Sequence, residues 1–257
     1  MNSISVVIAC RNEAAVIGQT LQSLEGLTDD IVVYDNGSTD GTLDIIKQFR
    51  VHLHEGAWGG FGWTKNKANS LAKYDWILSL DADEVVSPDL KKTLTELRLD
   101  DNSIVYEIKF RNFFGNQWLK HGEWGNDKHT RLFNRQVVQW DEAGVHEMLI
   151  VQPGTRVVRL EGSILHYTAT DIEKYKAKLD KYAVLNGRKY FEQGKRPLLF
   201  KKYGAAFFSF VQNYIFRAGF LDGKAGYQCA RLTASYTFKK YRELEERWEQ
   251  KKMEEIF

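Results

Sequence analysis

The chain of 257 residues carries 36 Lys and Arg against 34 Asp and Glu, a formal charge of only +2. With 43% hydrophobic residues it is globular, which excludes wholesale disorder. Two cysteines, Cys10 and Cys229, exclude a disulfide framework and fit a reducing compartment.

Apolar sequence starts at Ile4 without the basic flank and cleavage region of a secretory signal, so none is expected. Residues 4–9 form a short β-branched run and predict a buried strand. Ile17, Leu21 and Leu24 then recur at helical spacing. Residues 31–34 predict a second buried strand, followed by the turn Asn36-Gly37-Ser38. Leu43, Ile46 and Phe49 mark a short helix, and residues 76–80 another buried strand. Alternation of this kind predicts an α/β fold, a mainly parallel sheet flanked by helices. Ser87-Pro88 opens the next helix as N-cap and first helical residue. Residues 105–110 alternate as a half-exposed strand does, and residues 131–134, 145–151 and 157–166 are weaker strand candidates. Residues 171–193 predict a helix, and an aromatic-rich helical stretch follows Pro197. The expected division is a catalytic domain over 1–170 and a basic, aromatic, helical C-terminal region over 171–257.

The chemistry is expected where strands end, because parallel sheets bind ligands at their carboxyl edge. Leu80-Asp81-Ala82-Asp83-Glu84 follows a buried strand directly. Two carboxylates around a small residue can hold a hard divalent cation, and that cation can bridge a diphosphate. D-x-D alone also occurs as a solvated acidic turn; its position after an apolar strand favours a site. Asp35 ends a second buried strand, ahead of Asn36-Gly37-Ser38-Thr39-Asp40, whose residue types suit turns and caps. Ala9-Cys10-Arg11-Asn12-Glu13 ends the first. Three strands ending in polar residues around one edge describe a nucleotide-diphosphate cleft.

Together, the runs from Ser5 to Glu13, from Val33 to Thr42 and from Asp81 to Glu84 resemble family 2 glycosyltransferases of the GT-A fold. Trp58-Gly-Gly-Phe-Gly-Trp63 with Lys65-Asn66, Arg131-Leu-Phe133, Val145-His-Glu147 and Leu165-His-Tyr167 resemble the subgroup that includes lipopolysaccharide core-biosynthesis β-glucosyltransferases. The resemblance implies an inverting transfer of a hexose from a UDP-sugar to a saccharide or lipid-linked acceptor, with Mn²⁺ or Mg²⁺ as cofactor. It implies that Ala9, Arg11, Glu13 and Asp35 line the uridine pocket. Asp81 approaches the ribose or the metal's waters, Ala82 joins the donor-binding set, and Asp83 ligates the metal. His166 matches the histidine that completes metal coordination. Lys65 stands where relatives often carry Arg, so it is read either as a diphosphate contact or as a solvated helix residue.

Inverting transfer needs a base to take the acceptor's proton. Glu147 is the first choice, with Glu142 and Asp141 as alternatives; His146 either acts as base or orients the carboxylate. Trp118, Trp124, Trp140, Phe113 and Phe114 are read mostly as packing residues, with Trp124, between Gly122 and Gly125, as the exception on a mobile loop.

The near-neutral total conceals two opposite surpluses. Residues 1–170 hold 17 basic and 23 acidic residues, and residues 171–257 hold 19 and 11. Residues 197–241 also contain twelve Phe and Tyr, and the stretch 203–216 has no charge. Aromatic surface bordered by Lys and Arg suits an interfacial membrane helix, so residues 195–241 are expected at a membrane. Packing on the catalytic domain and a dimer contact are the competing readings. No nucleic-acid motif is present, so no nucleic acid is expected. The implied location is cytoplasmic, peripheral on the inner membrane's cytoplasmic face. Two other classes remain. A sugar-nucleotidyltransferase normally carries a Gly-rich loop, which Cys10-Arg11-Asn12-Glu13 lacks. A non-catalytic nucleotide-sugar-binding membrane adaptor is disfavoured by the intact acidic motifs.

Overall fold

The computed structural model describes residues 3–141, 148–169, 171–198 and 200–254. The chain forms two compact units, Met1–Phe110 with Lys128–His166 and Arg111–Asp127 with Tyr167–Phe257. Its elements begin with β1 (Ile4–Cys10), α1 (Ile17–Ser23), β2 (Asp30–Asp35), α2 (Thr42–Ile46), β3 (His52–Glu55), α3 (Phe61–Ser70) and β4 (Trp76–Asp81). Next come β5 (Glu84–Val86), α4 (Pro88–Glu96), β6 (Ile104–Phe114), β7 (Gln117–Trp118), β8 (Lys128–Asn134), β9 (Gln139–Trp140), β10 (Leu149–Ile150) and β11 (Arg156–Ala169). The helices α5 (Ile172–Glu192), α6 (Lys201–Val211) and α7 (Gly223–Glu254) complete the chain.

In the first unit β3, β2, β1 and β4 pair in parallel. Beyond β4 the sheet turns antiparallel, in the pairs β4–β8, β8–β6 and β11–β5. Among the described residues the order is β3-β2-β1-β4-β8-β6-β11-β5. The sheet is thus mixed, parallel where strands and helices alternate.

The central strands are buried on both faces, which explains their continuous apolar runs. Side chains alternate between two cores. Ile4, Val6 and Ile8 of β1 join Ile31, Val33, Leu78 and Leu80 in a core with Ile17, Leu21, Ile46, Leu90 and Leu94 of α1, α2 and α4. Val7, Val32, Tyr34 and Ile77 point the other way, against Ala68 of α3, Phe133 and Trp140. Periodicity does not reveal α3, because its sequence FGWTKNKANS is mostly polar and buries Thr64, Lys65 and Asn69 beside Ala68. The short edge strands β3 and β5 likewise carry no apolar alternation.

The cap expected at Ser87 is present: its hydroxyl accepts the Leu90 N–H at 3.3 Å. Ser87 also binds β11, accepting from the Ser163 N–H and donating its own N–H to the Ser163 carbonyl, both at 3.1 Å. The adjoining Gly162 has φ +94°, and a Cβ there would lie 2.3 Å from the Leu90 nitrogen. A side chain at 162 is therefore opposed twice, by backbone conformation and by contact.

In the second unit Phe114, Leu119, Ala169, Ala225, Cys229 and Leu232 form the core, with Trp124, Tyr175 and Leu179 packed on it. The aromatic stretch is not one continuous helix. A π turn over Gln212–Phe216, Ala218 in the left-handed region and a 3-10 turn over Gly219–Asp222 separate α6 from α7. Buried Asp222 holds this break, accepting the N–H groups of Lys120 at 3.0 Å and His121 at 2.8 Å. No helix among the described residues is long and apolar enough to cross a membrane.

Gly162→Ala is expected to lower unfolding stability by about 2–4 kcal/mol, combining strain and overpacking. Gly154→Ala, at φ +91° but with open space around it, should lose only about 1 kcal/mol. Urea unfolding of both variants measures the difference, and equal losses would show that the Leu90 contact contributes nothing.

Candidate functional site

The parallel register brings the three polar strand ends together. Cys10 lies opposite Asp35, and Ala9 opposite Asp81, so β1, β2 and β4 end on one carboxyl edge. The loops leaving that edge are stitched to one another. The Asn12 N–H donates to the Ser38 hydroxyl at 2.8 Å, and the Thr39 N–H to Asn12 Oδ1 at 2.7 Å. The Glu13 N–H donates to the Thr42 hydroxyl at 2.8 Å. Asn12 sits at φ +58°, a conformation Asn tolerates better than most residues. Arg11 is exposed here, and Ala9 and Glu13 are half-buried.

Asp35 is fully buried, and its carboxylate shapes the turn. Its Oδ1 accepts the N–H groups of Gly37 at 2.9 Å and Ser38 at 2.8 Å. Its Oδ2 takes the Ser38 hydroxyl and, at 3.5 Å, the Cys10 thiol. Burial and the Asp35 charge push the Cys10 thiol well above the ordinary range. Cys10 is therefore a neutral donor and not a nucleophile. The Asn36 amide ties in a third loop, donating to the carbonyls of Gly56 at 3.4 Å and Ala57 at 3.2 Å.

Beside this edge lies a cluster of charges. Asp81 Oδ1 is 3.1 Å from Lys65 Nζ, and its Oδ2 is 3.1 Å from an Arg131 guanidinium nitrogen. The same guanidinium donates to Glu84, and the second Glu84 oxygen accepts the Asp81 N–H at 3.0 Å. Antiparallel pairing of β4 with β8, Leu78 opposite Leu132, carries Arg131 to this position. Lys65 is buried, with its ammonium also 4.6 Å from the centre of the Trp140 ring. The solvated reading of Lys65 is thereby excluded.

Two carboxylates thus face two cations. Burial alone would raise the Asp81 carboxyl, but Lys65 and Arg131 overcome it and hold Asp81 far below the usual carboxylate range. Burial dominates at Glu84 and raises it, with Arg131 opposing. Burial works against the Arg131 charge, and Glu84 and Asp81 more than restore it.

β5 pairs with β11 so that His166 lies opposite Glu84. His166 Nε2 is 3.4 Å from Asp83 Oδ2, and both side chains are about one-fifth exposed. Burial lowers the His166 imidazole, and the bond to Asp83 outweighs it, so the net shift is upward. No group of three or more His, Cys, Asp and Glu poised around one point exists among the described residues. Asp83 and His166 nevertheless fit a divalent cation, as one hard oxygen and one nitrogen whose remaining partners are phosphate oxygens and water. Both oxygens of Asp81 already face cations. Ala82 is buried, and its carbonyl accepts the Thr20 hydroxyl at 2.7 Å, which anchors the turn between the two aspartates to α1.

The structure therefore places Ala9, Arg11, Glu13, Asp35, Asp81, Ala82 and Asp83 at the sheet edge and the turns beside it, with Lys65 of α3 reaching Asp81 and His166 of β11 reaching Asp83. Glu142, His146 and Glu147 lie outside the described residues. Asp141 is described and closes the ends of that segment: its N–H donates to the Met148 carbonyl at 2.8 Å, and its Oδ1 accepts the Met148 N–H at 2.9 Å. The aromatics are packing residues. Trp140 is buried against Phe133, and Trp124 packs edge-on to Tyr175 with ring centres 5.5 Å apart, as part of the second unit's core. Spacing does not assign roles to Arg131 or Glu84, although both stand in conspicuous runs. The signal available was charge balance: carboxylates at the end of a buried strand require a cation from a neighbouring strand.

Residues 5–150 match the family model described as Glycosyl transferase family 2. The lipopolysaccharide core biosynthesis glycosyltransferase LpsC of Rhizobium meliloti (strain 1021) is 27% identical over 253 residues, covering 93% of each chain. An uncharacterized glycosyltransferase of Rickettsia prowazekii (strain Madrid E) is 26% identical over 237 residues, 88% of this chain and 81% of that one. Among solved structures, S. aureus TarS 1-349 in complex with UDP aligns with a TM-score of 0.49 at 16% identity, covering 97% of this chain and 92% of that one. The family model spans more than half of the chain, including β1, β2 and β4 and the turns that leave them: the chain belongs to glycosyl transferase family 2 and has its GT-A fold.

Proposed function

We propose that this glycosyltransferase moves a hexose, with inversion, from a UDP-sugar to a saccharide or lipid-linked acceptor of the cell envelope, the lipopolysaccharide core being the acceptor that the relative LpsC suggests. The observation that carries the reading is the pairing of Asp83 with His166 beside an Asp81 whose charge is already balanced. A divalent cation, Mn²⁺ or Mg²⁺, held by Asp83 and His166 supplies positive charge to the donor's diphosphate. Asp81, kept ionised by Lys65 and Arg131, receives a ribose hydroxyl. Arg11, Glu13 and Ala9 border the uridine, and Asp35 acts through the turn it shapes. Glu147, or its alternatives Glu142 and His146, takes the acceptor's proton. As that proton leaves, the acceptor oxygen bonds to the anomeric carbon, and the bond to the diphosphate breaks.

The second unit supports a membrane-facing role for residues 195–241. α6 has no buried residue, and Phe207 and Phe216 are 71% and 74% exposed. Lys195 and Arg196 rest on the rings of Tyr190 and Trp248, each 3.7 Å from the ring centre. Lys240 lies farther out, 5.0 to 5.5 Å from the ring centres of three tyrosines. Such cations gain about 1 kcal/mol each near an anionic leaflet, and the exposed rings supply apolar contact. These features support a peripheral position, which we propose to be on the cytoplasmic face of the inner membrane.

UDP release from a UDP-hexose with acceptor is expected to require Mn²⁺ or Mg²⁺ and to fall about 100-fold or more in Asp83→Ala. Full turnover in excess chelator would remove the cation from the scheme. Arg131→Met should reduce stability by about 3–5 kcal/mol in urea unfolding, because Glu84 is left buried and unpaired. Adding Glu84→Gln should restore much of the loss. Phe207→Ser with Phe216→Ser should weaken co-sedimentation with phosphatidylglycerol vesicles by about 10-fold or more. Unchanged sedimentation would refute the membrane role.

A further inference from the structure

We propose that Asn66 is a positioning residue that sets the β9–β10 hairpin in register with the helix holding Asp81. β9 and β10 contribute two residues each, and among the described residues their sheet pairs only with itself. A hairpin this short is not stable alone. Something outside it must fix its place.

Contacts of Trp140 do so. Its ring is only 6% exposed and meets Phe133 edge-on, with centres 6.0 Å apart and planes at 83°. Its backbone is held by a single side chain. The Asn66 amide nitrogen donates to the Trp140 carbonyl at 2.8 Å, and Asn66 Oδ1 accepts the Trp140 N–H at 2.9 Å. A carboxamide offers a donor and an acceptor as a peptide group does. Asn66 thus substitutes for a neighbouring strand, pairing both backbone groups of one residue.

The position matters because of what lies on either side. One residue earlier, Lys65 reaches Asp81 at 3.1 Å and the Trp140 ring face at 4.6 Å. One residue beyond Trp140, Asp141 closes onto Met148 through two hydrogen bonds. The six residues between them include Glu142, His146 and Glu147. Consecutive residues of α3 therefore hold the donor-side carboxylate and the stem of the segment carrying the candidate bases. The inference rests on the proposed source of the base in that segment. Misplacing a reacting group by about 1 Å can reduce turnover by roughly 100-fold.

The test compares Asn66→Ala, which loses both bonds, with Asn66→Asp, which keeps the shape but sets a carboxylate oxygen against the Trp140 carbonyl. Amide hydrogen exchange over residues 139–150 should speed up by about 10-fold or more in each, and over residues 76–84 it should not change. Calorimetric UDP affinity with Mn²⁺ should stay within about twofold, while kcat falls by about 10- to 100-fold and the acid limb of its pH profile moves. Unchanged exchange at 139–150 overturns the anchor. Loss of UDP affinity in step with kcat overturns the separation between donor site and hairpin, and normal kcat with loosened exchange overturns the catalytic consequence. A wild type that transfers no sugar overturns the functional reading alone, since the exchange rates still decide the anchor.

Discussion

Arg131 keeps its guanidinium out of water between Asp81 and Glu84, with the Phe110 ring 5.3 Å away. A buried charge is tolerated only when it is paired and hydrogen-bonded. Here the pairing links three strand segments. Asp81 ends β4, Glu84 begins β5 and Arg131 belongs to β8. The tight turn from β4 to β5 is held by the same contacts, because Glu84 also accepts the Asp81 N–H. If the cation were lost, two carboxylates would face each other at the end of a buried strand.

This pairing also divides the labour of the D-A-D sequence. Asp81 is spent on Lys65 and Arg131, which hold its carboxyl far below the usual range against the effect of burial. Asp83, two residues on, has His166 for a neighbour at 3.4 Å and is about one-fifth exposed. The identical side chains thus receive different surroundings. The first faces Lys65 and Arg131, and the second faces His166. Lys65 extends the frame to α3, and through Trp140 and Asn66 the frame reaches the β9–β10 hairpin.

The second unit follows another logic. Its core is small, with Trp124 and Tyr175 partly buried against it, and α6 contributes nothing buried to it. Several of its lysines and arginines rest on tyrosine and tryptophan rings rather than on carboxylates. A surface of this kind keeps apolar area and positive charge in water, which a soluble packing role does not require. It is the physical counterpart of the net +8 carried by residues 171–257.

Much of the fold was legible in the sequence, because the central strands are buried on both faces and read as unbroken apolar runs. The polar carboxyl edge was legible for the same reason: Glu13, Asp35 and Asp83 stand just after such runs. The cap at Ser87 followed from local chemistry alone. α3 was not legible, since its buried residues are Lys, Thr and Asn, whose burial depends on partners far away in the chain. The fate of Lys65 was decided by Asp81 and Trp140, 16 and 75 residues distant. Sequence by itself determined which residue types reach the sheet edge, because strand ends and turns are local events. Only tertiary structure decided which partner each carboxylate meets, Lys65 and Arg131 for Asp81 and His166 for Asp83, because those groups are delivered by a helix and strands distant in the chain.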